Sequence, residues 1–502
     1  MTRNFIYNLI RRKRLILQGS IVLTWLMMMG LLIEGTFVKP GALKINPVLA
    51  REGMKAGEDW WGIYWKGEKI GYAVTHQHPQ TEKILISERA WLKLSVMSIP
   101  QNIEQTLEYR VNQNLILDSF QFSLKSGLIE FKISGRVDPA SSGKRLLLAV
   151  HSGGKERQQE IILKDPPHIL SQTKLYFIAQ GLEKGKKFRI PVFDPSTVST
   201  AEMIAEVEGM ERLVIGGEER ELYRVREEFR GIIVKAWIDQ SGAIWKEESL
   251  TGMVLMRESK DVARQKNWGR GKIVDLIALT AVPVNRLIEN PREASYLRAK
   301  LLSPALNELS MEGDRQLRQG NEVIIQKEKF PPPVLPVRSI AEEVRQKALR
   351  STPFIQSDDP EIKKQAEAIV KGAEDDSEKV RRLAAWVHKE VEKRPVVSIP
   401  SAVEVLRQKA GDCNEHAVLF TALARAVGIP ANMQAGIVYQ EGKFYYHAWA
   451  QVYLGTWISV DPLLNQFPAD ATHIRLVTGD LDQQMDIVKV IGRLKVEILE
   501  VR

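Results

Sequence analysis

At 502 residues the chain is too long for one ordinary core, and about three domains are expected. A hydrophobic share of 44% with 26% charged residues excludes both a disordered chain and a polytopic membrane protein. Lys+Arg 71 against Asp+Glu 62 gives a net charge of +9, but Arg3, Arg11, Arg12, Lys13 and Arg14 cluster at the start. The remaining charge is scattered and mildly basic, so no nucleic-acid partner is expected.

Residues 1–14 read as a basic cytoplasmic tail. Directly after it, LILQGSIVLTWLMMMGLLI (15–33) carries no charge and is long enough to cross a hydrocarbon core as a helix. The basic flank holds this end in the cytoplasm and sends residues 40–502 to the periplasmic or extracellular side, so a single-pass inner-membrane protein is expected. A cleaved signal peptide is the alternative. The run is longer than a signal core, Glu34 to Phe37 offer no small-residue cleavage site, and Val48-Leu49-Ala50 lies far downstream.

Residues 55–260 read as an antiparallel β-rich exported domain. WWGIYWKGEKIGYAV (60–74) is a hairpin pattern with Gly67 in the turn, and similar turns are expected at Ser142-Gly143 and Ser241-Gly242. His76 and His78 are two apart, but no third or fourth ligand accompanies them, and a solvated loop accounts for them. Residues 261–338 form a connecting segment, with helix around Lys272 to Ile288, a strand in NEVIIQKEKF, and the stiff proline-rich linker FPPPVLPV (330–337). A C-terminal domain, 339–502, follows and is expected to fold alone. It opens with two amphipathic helices, the second capped by Ser377 and carrying His388 on its surface.

The only cysteine, Cys413, lies in GDCNEHAVLFTALARAVGIP, where a turn leads into a helix ended by Gly428 and Pro430. A thiol at a helix N-terminus faces backbone N–H groups and the positive end of the macrodipole, so its pKa is expected to fall. In FYYHAWAQVYL, His447, Trp449, Gln451 and Tyr453 share one face by alternation. If an odd-numbered loop centred on Gly455 follows, Asp461 of TWISVDP lies opposite Trp449 and diagonal to His447. A two-residue loop would put them on opposite faces. Cys, His and Asp so arranged have the logic of acyl transfer: nucleophile, base and orienting carboxylate. The rival is a zinc site of Cys413, His416, His447 and Asp461, although His416 one turn after Cys413 is equally an ordinary helix residue. Glu415 reads as a cap, Trp449 as packing or cleft lining that binds substrate, and Gln408 or the Cys413 backbone N–H as oxyanion donor.

These two stretches resemble the core of the transglutaminase-like superfamily, with its papain-like fold, over roughly Ser377 to Ile474. The resemblance implies Cys413 as nucleophile, His447 as base and Asp461 as third member. It implies an α+β chain: membrane helix, antiparallel β-rich domain and C-terminal transglutaminase-like domain. Asp412 directly before the cysteine, and the lack of recognisable calcium modules, set it apart from animal cross-linking enzymes, so no cofactor and no metal are implied. A cysteine-dependent amide hydrolase or acyltransferase acting on peptide or protein amides in the cell envelope is expected. A non-catalytic binding module keeping the fold is the alternative.

Overall fold

Between Gly57 and Glu258 apolar and polar residues alternate along every long segment, as a sheet with one covered face requires. The computed structural model folds this stretch into one antiparallel sheet of fourteen strands. It describes residues 56–502 other than 81–82, 97, 113–115, 128, 153–154, 171–176, 178–180, 251, 266–267, 269–274, 276–279, 331–339, 396–398 and 400. The expected tail and membrane segment, 1–33, and nearly all of the proline-rich linker lie outside the described residues. Among the described residues no helix is long and apolar enough to cross a membrane.

In the strand Ile99–Asn112, Ile103, Leu107, Tyr109 and Val111 are buried while Glu104 and Arg110 are exposed. The first eight strands pair in chain order, ending at Lys155–Ile162 on one edge. The first strand, Gly57–Trp65, also pairs with the last, Met253–Glu258, and pairing then runs back through the sequence to Lys187–Asp194 on the other edge. The segment between the two edges ties the limbs together: Leu117 N–H donates to Pro167 O and Phe193 N–H to His168 O. Phe120 and Phe193, one from each limb, meet with ring centroids 5.3 Å apart. The hairpin turns fall at Lys66-Gly67, Ser142-Gly143 and Gly242, each with positive φ. His76 and His78, two apart at an expected strand end, lie at the end of the strand Glu68–Pro79, with ring centroids 6.4 Å apart.

The connecting segment departs from the sequence reading. Of the expected helix 272–288, residues 272–274 and 276–279 lie outside the described residues; 281–288 is not helical, and Val282–Pro283 is a short strand pairing with Lys443–Tyr453. Tyr296–Leu302, Gln316–Gln319 and Glu322–Gln326 form a four-stranded sheet completed by Lys495–Val501. Their apolar residues share one core with Ile437, Tyr439, Phe444, Ile474 and Leu476. The chain before the linker is thus built into the C-terminal sheets, contrary to the expectation of a closed unit starting at 339.

Past the linker come helices Glu342–Leu349, Pro360–Val370, Asp376–Glu390, Ala402–Gln408 and Cys413–Ala426. The third is capped by Asp375, whose carboxylate reaches Glu378 N–H, rather than by Ser377. Their apolar faces enclose Leu419, Phe420 and Leu423 of the cysteine helix against Ala448, Ala450 and Val452 of the strand Lys443–Tyr453. The fourteen-stranded sheet packs on this region through Phe131 against Phe354 and through Gln101 Nε2 donating to Pro395 O. The described residues form one compact unit.

Candidate functional site

The strand Lys443–Tyr453 divides its side chains by parity. Phe444, Ala448, Ala450 and Val452 enter the two cores. His447, Trp449 and Gln451 face the other way, and that face decides the chemistry.

Tyr453 pairs with Trp457 and Ala450 with Val460, so the connecting loop is the three residues 454–456, with Gly455 at φ 84. The odd loop continues the register to place Asp461 opposite Trp449. His447 Nε2 then lies 2.7 Å from Asp461 Oδ2. A carboxylate only accepts, so His447 carries its proton on Nε2 and keeps Nδ1 as the basic nitrogen. Asp461 Oδ1 is fixed by Leu464 N–H at 2.9 Å. Opposite His447 sits Gly436, where a Cβ would lie 2.1 Å from Ile474 O and 2.9 Å from the Trp449 ring. Only glycine fits there.

Cys413 opens the helix Cys413–Ala426 behind a capping box. Asp412 accepts from Asn414 N–H, and the Glu415 carboxylate reaches back to Asp412 N–H at 2.9 Å. The backbone N–H of Ala448, next to His447, reaches the Cys413 sulfur. Cysteine and histidine strand thus pack against each other, and Cys413 as a residue is half-buried.

The electrostatics reverse the expected thiol shift. Burial, then the Asp412 carboxylate, push the Cys413 thiol well above its ordinary value, while the Ala448 N–H works in the other direction. Asp412 itself is held well above the carboxylate range by burial and by Glu415. The helix end alone predicted a thiolate; burial, with two acids at the same end behind it, outweighs the helix. Asp461 goes the opposite way. Burial works against its charge, yet His447 and His473 hold it well below the usual range.

His473 was not legible beforehand. It is 1% exposed, with Nε2 3.0 Å from the same Asp461 Oδ2 and Nδ1 3.2 Å from Asp470 Oδ1. Asp470 also accepts from Arg292 Nη1 at 2.8 Å and Gln466 Nε2 at 2.9 Å. The one sequence signal was Asp470-Ala-Thr-His473, in which Asp470 caps Thr472 N–H at 2.8 Å. His447, Asp461 and His473 bring three ligand-type atoms within 4.8 Å. The spacing here is that of two N–H donors on one carboxylate oxygen. The zinc set of Cys413, His416, His447 and Asp461 is not brought together: among the described residues Cys413 and His416 do not join that cluster.

Three other expectations are corrected. Trp449 is 2% exposed and stacks on His447 at 6.0 Å, so it backs the imidazole and presents no surface for substrate. Gln408 donates to Glu404 at 2.9 Å instead of facing the sulfur. His388 is half-buried and bonds Leu463 O at 3.0 Å, bracing the loop after Asp461. On the face behind Trp449, Arg315 and Glu328 pair at 3.0 Å, and Glu328 accepts Ser459 N–H at 2.7 Å.

Residues 363–462 match the family model of the transglutaminase-like superfamily, so the chain carries a transglutaminase-like domain that includes Cys413, His447 and Asp461. Asp470, His473 and Arg315 fall outside the match. No curated protein matches the chain. Among solved structures it is similar to a "Putative Cysteine Protease" from Cytophaga hutchinsonii, at 18% identity over 44% of this chain and 82% of that one, with a TM-score of 0.27. A beta-barrel-like protein of a domain of unknown function from Brucella abortus matches at 8% identity over 40% and 94%, with a TM-score of 0.31. A "putative protease" from Parabacteroides distasonis matches at 10% identity over 68% of each chain, with a TM-score of 0.19. These superpositions are too loose to bear on activity.

Proposed function

We propose that the transglutaminase-like domain is a cysteine-dependent amide hydrolase or acyltransferase that works through Cys413, His447 and Asp461. The observation that carries the reading is the His447 Nε2–Asp461 Oδ2 bond of 2.7 Å, on the strand whose next N–H reaches the Cys413 sulfur. With its pKa raised, the thiol rests protonated. His447 therefore acts as general base: Nδ1 takes the S–H proton as sulfur bonds to the amide carbonyl carbon. Asp461 stabilises the imidazolium through Nε2–H without becoming protonated. The oxyanion is met by the backbone N–H of Cys413, since Asp412 takes the N–H groups of Asn414 and Glu415. The imidazolium returns its proton to the departing amine, the C–N bond breaks, and a thioester remains. Water or a second amine then attacks the thioester and frees the thiol.

The uncharged run after the basic tail supports a membrane-anchored enzyme facing the envelope, with peptide or protein amides as substrates. The raised thiol pKa is the one observation that favours the rival reading, an inert binding module. The pH profile of alkylation separates the two, because Cys413 is the only thiol. With His447 as base, wild type alkylates faster near neutral pH than His447→Ala, by about tenfold or more. Identical profiles for the two proteins sink the enzyme reading.

A further inference from the structure

We propose that His473 is a positioning residue of this site: a ring held as an imidazolium between two carboxylates, fixing Asp461 on His447. The proposal rests on the reading of Cys413, His447 and Asp461 given above.

The argument is one of donors and acceptors. His473 Nε2 faces Asp461 Oδ2 at 3.0 Å, and Nδ1 faces Asp470 Oδ1 at 3.2 Å. Ionised carboxylates offer no proton, so each ring nitrogen has to supply one, and a ring with two N–H groups is charged. The surroundings support that charge. His473, Asp461 and Asp470 have no side-chain exposure, and Arg292 pairs with the far oxygen of Asp470 at 2.8 Å. Two anions and two cations thus alternate in the order Asp461, His473, Asp470, Arg292. Trp449 closes the ring edge-on at 5.2 Å, and His447 approaches at 5.8 Å. The recess behind Trp449 and His473 is lined by Arg315, Arg475, Asp314 and Glu328, two of each sign. Burial opposes the charge on His473, but its bonds to Asp461 and Asp470 raise its pKa above the ordinary value.

Two consequences follow for His447. Asp461 Oδ2 receives two N–H donors from different directions and Oδ1 a third from Leu464, so the carboxylate cannot swing away. Its negative charge is also partly answered before reaction, which limits how far Asp461 can raise the nearby thiol.

The direct test is 15N NMR of the full chain labelled at histidine, near pH 7.5. Both His473 ring nitrogens are expected to be protonated, with the signal assigned by its loss in His473→Gln. If that variant does not fold, Asp470→Asn assigns the signal by shifting it. A neutral His473 ring at that pH overturns the proposal. The functional test is alkylation of Cys413 against pH. In folded His473→Gln the unanswered Asp461 charge should move the midpoint to higher pH. Neutral-pH alkylation should slow on the order of tenfold, as when a histidine loses an orienting partner. A folded variant with the wild-type midpoint and rate overturns the proposal, whereas a merely structural role would leave the midpoint in place. The underlying reading is scored separately by His447→Ala. If that change is silent, the catalytic assignment falls; if it acts and His473→Gln does not, only the role of His473 falls.

Discussion

Cys413 sits where two rules disagree. A helix N-terminus stabilises a thiolate, yet the acids that cap this helix, Asp412 and Glu415, oppose one. The sequence displayed both acids, but their sign became decisive only once burial was known. Asp412→Asn keeps an N-cap of equal quality and removes the carboxylate beside the sulfur. The expected outcome is an alkylation midpoint at lower pH than wild type; a midpoint that stays or rises would show that burial alone sets the thiol. The bond between His447 and Asp461 was legible, because loop parity and strand alternation are local properties. His473 was not. It reaches Asp461 through a loop with no periodicity, where the Asp470 cap on Thr472 marks a turn but not which side chain points inward.

Elements were legible in proportion to how local their causes are. The hairpin at Lys66-Gly67 and the helix between Asp412 and Gly428 declare themselves through turn and cap residues. The strands between Tyr296 and Gln326 carry the same alternation, yet their partner is Lys495–Val501, with Leu297 opposite Val501. A strand signals its presence locally and its partner not at all. Hence the proline-rich stretch looked like a domain boundary, while Leu297, Leu301, Val323 and Ile325 fill the core under Ile437 and Ile474. A fragment 339–502 would expose that core and leave Ser459 without Glu328. It should be insoluble or unfold without cooperativity, whereas 281–502 should give a single cooperative thermal transition. Cooperative unfolding of 339–502 at a comparable temperature would remove the earlier strands from the core of the domain.

At the scale of the whole molecule, charge placement sets an expectation for topology, and buried acids set one for stability. The basic residues before the apolar run 15–33 predict that a cytoplasm-only fluorescent reporter on the C-terminus stays dark; a bright fusion would place residues 40–502 inside the cell. The pH dependence follows from opposed shifts. Asp461 and Asp470 are held low by the histidines and by Arg292 despite burial, so the stability they contribute is present above the unfolded value of about 4 and is lost only in strong acid. Glu404 is pushed up to about 7, by burial first and then by Glu415 and Glu130 against the Gln408 bond. Glu227 is pushed up to about 8 by burial and Glu247. These raised acids favour the folded state while protonated, so their contribution is complete below about pH 4 and is lost as pH climbs through 7 to 8. His473 adds a loss of the same sign as pH rises through its own raised value. Stability should therefore peak at mildly acidic pH and decline toward pH 8, over the range in which the thiol must give up its proton. Glu404→Gln should match wild type near pH 5 and exceed it at pH 8, on the order of 1–3 kcal/mol by urea denaturation. Glu227→Gln should behave alike by a smaller amount, since that side chain keeps some solvent contact. A wild type that gains stability steadily from about pH 5.5 to 8 would mean that these carboxylates ionise freely in the folded chain.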